Sequence, residues 1–249
     1  MNKPTLYIFT ISHFCEKARW ALDYLNVDYH LKVIAPGTHL QIAKNLGLKR
    51  GSTPFLETGD GVIQGSDTII NWAEEQSNSA SLQDPQNAGA VSEIEARLDK
   101  ELGVHIRRWF YSEAVVEQPH LVKPIFMRDI SAWEKIKFSI KWPVIQKLMI
   151  KRMDLGKEQG EQSFTIVQNE MAWLESLLKD TPFLAGNQLS RADITAAALI
   201  APMIKPGNHP TAKYVNHPPR VAQQSTTFQD SAVWSWVENL YSQYRLAED

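Results

Sequence analysis

An apolar run from Leu6 to Ile11 feeds through Ser12 directly into an amphipathic stretch, Glu16 to Leu25, and a second strand-like run follows from Val27 to Ile34. Between the two runs, Phe14, Ala18, Ala21, Leu22 and Leu25 recur at helical spacing, so the opening of the chain is a βαβ unit. A strand that passes straight into a helix leaves the first-turn backbone N–H groups unpaired, and their partial positive charge favours a thiolate over a thiol. Residues 12 to 15 of this junction read Ser-His-Phe-Cys, and Cys15 is the one cysteine of the chain. An internal disulfide is therefore excluded, and with it a dithiol redox cycle within the chain. A nucleophilic sulfur at this position is either Cys15 or belongs to a bound molecule.

The pattern continues through a third element at Gln41 to Leu46. Two short strands follow, Thr53-Pro54-Phe55-Leu56 and Val62-Ile63, joined by the Gly59-Asp60-Gly61 turn. Ser66 caps a helix running through Ile69, Ile70 and Trp72, which completes a β-α-β-α-β-β-α order. Ser, Asn, Gln, Asp and Pro dominate from Ser77 to Gln86, where apolar periodicity lapses, and the expected division is residues 1–77 and 87–249. Beyond that linker the apolar spacing is helical: Ile94, Leu98 and Leu102; Phe164, Val167, Met171, Leu174 and Leu178; Val233, Val237, Leu240 and Tyr244. Ser190-Arg191-Ala192-Asp193 marks one helix start as a capping box. The segment from Pro202 to Pro219 reads as an irregular loop.

A formal charge of -2 argues against a general electrostatic attraction for nucleic acid. The first apolar run is too short for a signal-peptide core, and no segment reaches the roughly 18 apolar residues of a membrane span, so the expected compartment is reducing and cytoplasmic. Seven histidines are scattered without a ligand spacing, and no Gly-rich phosphate loop occurs, so no metal is expected.

Four places in this order resemble the cytosolic glutathione S-transferases: Ser12 to Leu22, Ser52 to Leu56, Ile63 to Trp72, and Phe183 to Pro202. The resemblance implies an α/β thioredoxin-like N-terminal domain followed by an all-α C-terminal domain. It also implies a glutathione transferase that activates the glutathione thiolate for attack on a hydrophobic electrophile, acting as a homodimer. In that family the residue at Ser12 donates a hydrogen bond to the glutathione sulfur, and Phe14 is a further candidate for binding the tripeptide. Thr53, ahead of a cis Pro54, would pair with the cysteinyl backbone. Ser66 would supply donors to the γ-glutamyl carboxylate. The position before that serine, an acidic or amide residue in most members, is Gly65 here, flanked by Gln64 and Asp67 as the remaining candidates. Ser52 stands where a lysine often meets the glycyl carboxylate, and His39, Lys49 and Arg50 are nearby alternatives.

Two other readings stay open. In one, Cys15 takes part covalently in a glutathione-dependent reductase or lyase. In the other, the chain is a non-catalytic binder of glutathione or a hydrophobic ligand. Tyr7 competes with Ser12 as thiolate stabiliser, but Ile8 holds the register used by tyrosine-type members, and strand alternation turns Tyr7 away. Trp109, Phe110 and Tyr111 are candidates for the electrophile pocket. From Val116 to Asp154 the chain is longer than the usual connection. Here Lys135, Lys137, Lys141, Lys147, Lys151 and Arg152 interleave with Ile136, Phe138, Ile140, Trp142 and Ile145, either as a solvated helix over the pocket or as a basic amphipathic face for a membrane.

Overall fold

A computed structural model describes residues 3–245. The N-terminal part runs β1 (Thr5–Ile8), α1 (His13–Tyr24), β2 (His30–Val33), α2 (Thr38–Asn45), β3 (Phe55–Thr58), β4 (Gly61–Gln64) and α3 (Ser66–Gln76). The four strands lie in the order β2-β1-β3-β4, with β1 and β2 parallel and the other two pairings antiparallel. The element order is the expected one, and the strands are shorter than the apolar runs that announced them. Leu6, Ile8 and Leu56 face the main core under α1 and α3, whereas Tyr7, Ile34 and Phe55 face α2. Strand alternation thus separates Tyr7 from the side of the sheet that carries α1.

The helical part comprises α4 (Ala88–Arg97), α5 (Val104–Ala114), α6 (Pro119–Phe126), α7 (Ala132–Met153), α8 (Lys157–Leu177), α9 (Arg191–Ile204), α10 (Pro219–Ser225) and α11 (Ala232–Tyr244). The periodicity of Ile94, Leu98 and Leu102 reads as one uninterrupted helix, but the backbone is π-wound over Leu98–Gly103 between α4 and α5. Such widened turns occur as short interruptions inside α-helices, often at functional sites. Here a Cβ on Gly103 would lie 2.7 Å from Phe14 Cζ and 3.1 Å from both Leu199 methyl carbons, so the wide turn sits against α1 and α9.

α9 is buried along almost its whole length and forms the axis of the helical part. At its start the Asp193 carboxylate accepts from the Ser190 backbone N–H and hydroxyl, both at 2.7 Å, and from the Leu184 N–H at 2.8 Å. Pro202, expected in a loop, lies inside the last turn of α9. Its neighbours Ala201, Met203 and Ile204 are buried and hold that turn in place despite the missing N–H, and the irregular segment begins only after Ile204. The added segment after α5 folds as α6 and the long α7. Phe138 and Trp142 anchor α7 in an aromatic cluster with Phe126, at ring separations of 5.5 to 6.2 Å.

The two parts meet through buried charge as well as apolar surface. Lys17 of α1 is wholly enclosed, with Nζ 2.9 Å from Glu95 and 2.7 Å from Asp99. Glu16, also buried, accepts from Arg245 Nε at 2.8 Å.

Candidate active site at the interdomain cleft

Ser12 is the N-cap of α1, with extended backbone at φ -81° and ψ 116°. Its Oγ accepts from the Cys15 backbone N–H at 3.4 Å. A hydroxyl that caps in this way uses an acceptor lone pair, and its own proton remains available to donate. Ser12 faces a cavity of about 260 Å³ between the sheet domain and the helices. Phe14, Ser52 and Thr53 share its lining, and across it stand Arg107 and Tyr111 of α5 and the α7 side chains Ile145, Met149 and Arg152. No carboxylate lines this cavity among the described residues.

Cys15 lies directly beneath, 1% exposed. Burial pushes its thiol upward, against the opposing influence of the Ser12 and Thr53 side chains and the Phe9 backbone. The helix terminus alone would lower it, but removal from water outweighs that effect here. A protonated, enclosed thiol is a packing group with weak polar contacts rather than an exposed nucleophile.

The Thr53–Pro54 peptide is cis. The Pro54 carbonyl accepts from the Gly65 N–H at 3.1 Å, tying the approach to β3 to the end of β4. Gln64, a candidate for the ligand, turns its amide onto the preceding loop instead: Nε2 donates to the Arg50 carbonyl at 2.9 Å and the Ser52 carbonyl at 2.7 Å. Gly65 occupies φ +108°, a conformation that L side chains rarely adopt, and a Cβ there would lie 2.8 Å from Asp67 Oδ1. Ser66, expected as the cap, is instead the first residue of α3 and buried; Gly65 holds the cap position, without a side-chain bond. Asp67 borders a separate groove on the far side of α3, with Asn71, Glu95 and Asp99, and its backbone carbonyl accepts from Arg191.

His39 lines the cavity, with its Nδ1 accepting from the Gly37 N–H at 2.9 Å. Burial lowers its pKa to about 4, so the ring is neutral at neutral pH. Lys49 and Arg50 are exposed and do not line the cavity. Of the three aromatic candidates on α5, Tyr111 reaches the cavity. Trp109 is core, stacked on Phe164 and donating to Gln224 Oε1 at 2.7 Å, and Phe110 turns toward His217. The Tyr7 hydroxyl donates to Glu57 at 2.7 Å on the opposite sheet face, and burial with that partner raises its pKa to about 12.

Arg107 stands in no motif that marks it in the sequence. Its Nε is buried without a hydrogen-bond partner among the described residues, and burial lowers its pKa from the usual guanidinium value. Arg107 precedes Tyr111 by one helical turn, so the face that carries one carries the other, and that spacing was the available signal.

The N-terminal region, residues 6–81, matches the family model described as glutathione S-transferase, N-terminal domain. Residues 138–213 match the model described as glutathione S-transferase, C-terminal domain. Among solved structures, the chain is similar to glutathione transferase GSTFuA3 from Phanerochaete chrysosporium, at 13% identity and a TM-score of 0.66, covering 100% of both chains. A glutathione S-transferase from Xanthobacter autotrophicus Py2 is similar at 16% identity and a TM-score of 0.63, over 98% of this chain and 95% of that one. Beta-etherase LigF from Sphingobium sp. strain SYK-6 is similar at 20% identity and a TM-score of 0.59, over 95% and 99% respectively. At such identities the structures establish the shared fold. No curated protein matches the chain in sequence.

Proposed function

We propose that this chain, which belongs to the glutathione S-transferase family, binds glutathione across its α/β domain and uses Ser12 to hold the tripeptide sulfur as a thiolate. The observation that carries the reading is that Ser12 caps α1 as an acceptor and lines the cavity, where a hydroxyl in that role has a proton to give a bound sulfur. Beside the unpaired N–H groups of the first helical turn, that donor lowers a thiol from its free value of about 8.5. A depression of one to two units makes most of the bound thiol reactive at neutral pH.

The chemistry then has two steps. The thiol proton leaves to solvent, and the thiolate attacks an electrophilic carbon of the second substrate, forming a carbon–sulfur bond while the leaving group departs with its electron pair. Arg107 is placed to favour negative charge in a cavity free of carboxylates, and Tyr111, Ile145 and Met149 supply apolar wall for the electrophile. The γ-glutamyl carboxylate falls to the N-terminus of α3 at Ser66, and the cysteinyl backbone to Thr53. Gln64 acts by holding the loop ahead of Thr53 through its bonds to the Arg50 and Ser52 carbonyls. Gly65 supplies no side chain for the ligand ammonium, and Asp67, two positions on, is the carboxylate adjacent in sequence. A homodimer belongs to the same proposal, and sedimentation velocity measures it.

Two measurements test the reading. Glutathione titrated by calorimetry should bind more tightly than roughly 10 mM, since weaker binding is only about 2.7 kcal/mol and leaves the site empty. Turnover of an aryl halide should fall about a hundredfold in Ser12→Ala, the usual cost of losing one such donor, and persist in Cys15→Ala. Activity that survives Ser12→Ala and vanishes in Cys15→Ala would transfer the reaction to the buried thiol.

A further inference from the structure

The outward face of α7 carries a row of large apolar side chains with no protein against them. Trp133 is 63% exposed, Ile136 52%, Ile140 76% and Val144 71%, and the row continues to exposed Leu148. On a helix these positions follow one another at intervals of three or four residues and form a single stripe. Lys137, Lys141, Lys147 and Lys151 lie within and beside that stripe and are exposed too. Lys137 stands over the Trp133 ring, 5.0 Å from its centroid. Over its 22 residues α7 holds six cationic side chains and one carboxylate, Glu134, on a chain whose formal charge is -2.

The inner face is already occupied. Phe138 and Trp142 are buried, and Ile145 reaches the loop before α2, where a Cβ on Gly37 would lie 3.2 Å from its Cδ1. The helix is therefore anchored by Phe138 and Trp142 on one face while the other presents apolar and cationic groups together. We propose that this outward face of α7 docks on an anionic lipid bilayer surface. Apolar side chains interleaved with lysines suit that surface, because the rings and branched chains enter the acyl boundary while the lysine stems snorkel toward the headgroups. A second copy of the chain is a poor occupant: two-fold pairing would press Lys137, Lys141 and Lys147 against their own equivalents with a single carboxylate per helix to answer them. Leu148 belongs both to the stripe and to the cavity lining, so docking sets the mouth of the cavity at the lipid boundary. The proposal is independent of the chemistry inside that cavity.

Co-sedimentation of the full chain with vesicles tests it. The protein should pellet with phosphatidylcholine vesicles containing roughly one-third phosphatidylserine, and not with phosphatidylcholine alone. Binding should weaken as salt rises from about 0.05 M to about 0.5 M, because the screening length shrinks severalfold. Lys137→Gln with Lys141→Gln should reduce the partition constant about fivefold per lysine. Ile140→Asn with Val144→Asn should reduce it about tenfold or more, with an unchanged melting temperature because both positions face solvent. Equal binding to neutral vesicles, no binding to either, or binding unaltered in both variants overturns the proposal. So does self-association in sedimentation velocity that Ile140→Asn with Val144→Asn abolishes, or binding to duplex DNA in the absence of vesicle binding.

Discussion

His13 Nε2 lies 3.0 Å from the Gly103 carbonyl oxygen, so the first residue of α1 is fastened to the π-wound turn between α4 and α5. The bond joins the end of the helix that carries Ser12 to the opposite wall of the cleft. Burial keeps the ring neutral, assisted by the nearby Arg107 charge and opposed by the Gly103 carbonyl, and the pKa falls to about 3. The nitrogen therefore carries its hydrogen and donates.

His13 gives the fold a specific acid sensitivity. An unfolded histidine takes up a proton near pH 6.5, whereas the buried ring refuses it until about pH 3. The stability it confers is complete above about pH 6.5 and is lost as pH falls through that window, by about 1.4 kcal/mol per pH unit. His13→Gln should flatten the fall relative to the parent chain between about pH 6 and pH 4, as urea unfolding at a series of pH values would show. Parallel curves for the two proteins would remove His13 from the acid response.

Gly103 faces the same contact from the other side. With helical backbone it tolerates alanine conformationally, so the obstacle is Phe14 Cζ at 2.7 Å and the Leu199 methyls at 3.1 Å. Gly103→Ala should destabilise by about 1–3 kcal/mol, the range for overpacking. Phe14→Leu added to Gly103→Ala should recover part of that loss in thermal unfolding, giving a coupling that neither substitution shows alone.

What the sequence disclosed was the local chemistry. Ser12, and Ser190 with Asp193, were readable because a cap must meet its partner within three residues, whatever the rest of the chain does. The βαβ opening and the helical second half followed from periodicity alone. Arg107 was hidden because Arg107 and Arg108 are adjacent, and only the packing of α5 decides which of them turns inward. Arg108 goes to the Asp154 carboxylate, while Arg107 enters the cleft. Trp109 and Tyr111 separate for the same reason, one into the core and one to the cavity. Lys17 reads as a surface charge on an amphipathic helix, and its burial depends on Glu95 and Asp99, which are remote in sequence. Pro202 reads as a loop residue in the sequence, and it stays in the helix because the buried Ala201, Met203 and Ile204 around it hold a turn that a solvated helix end would lose.

Lys17 holds the two parts of the chain together by charge, and removing it should show the cost of leaving its partners unanswered. Its side chain is wholly enclosed, whereas Asp99 is partly solvated, so Lys17→Met should cost about 3 kcal/mol, the lower end for breaking a buried pair. Glu95 keeps Arg191 at 2.5 Å in the variant, which leaves Asp99 as the stranded carboxylate. Adding Asp99→Asn to Lys17→Met should therefore restore much of the lost stability in urea unfolding, while Asp99→Asn alone should destabilise.

Arg107 is the sharpest test of how the cavity treats negative charge. A guanidinium with a buried, unpartnered Nε has already been taken out of water, so an anion that reaches it gains a charge-assisted hydrogen bond without displacing another partner. Such bonds contribute about 1.5–3 kcal/mol, and Arg107→Gln should weaken glutathione binding about tenfold or more. The bound thiol pKa, followed by thiolate absorbance across pH, should rise in the same variant, because a positive charge facing the sulfur has been lost. Arg107→Lys keeps the charge but not the planar fork, so it should hold the thiol pKa near the parent value while recovering only part of the affinity. Unchanged affinity and pKa in Arg107→Gln would place Arg107 in the cleft as a packing group alone, with Ser12 and the helix terminus acting on the sulfur without it.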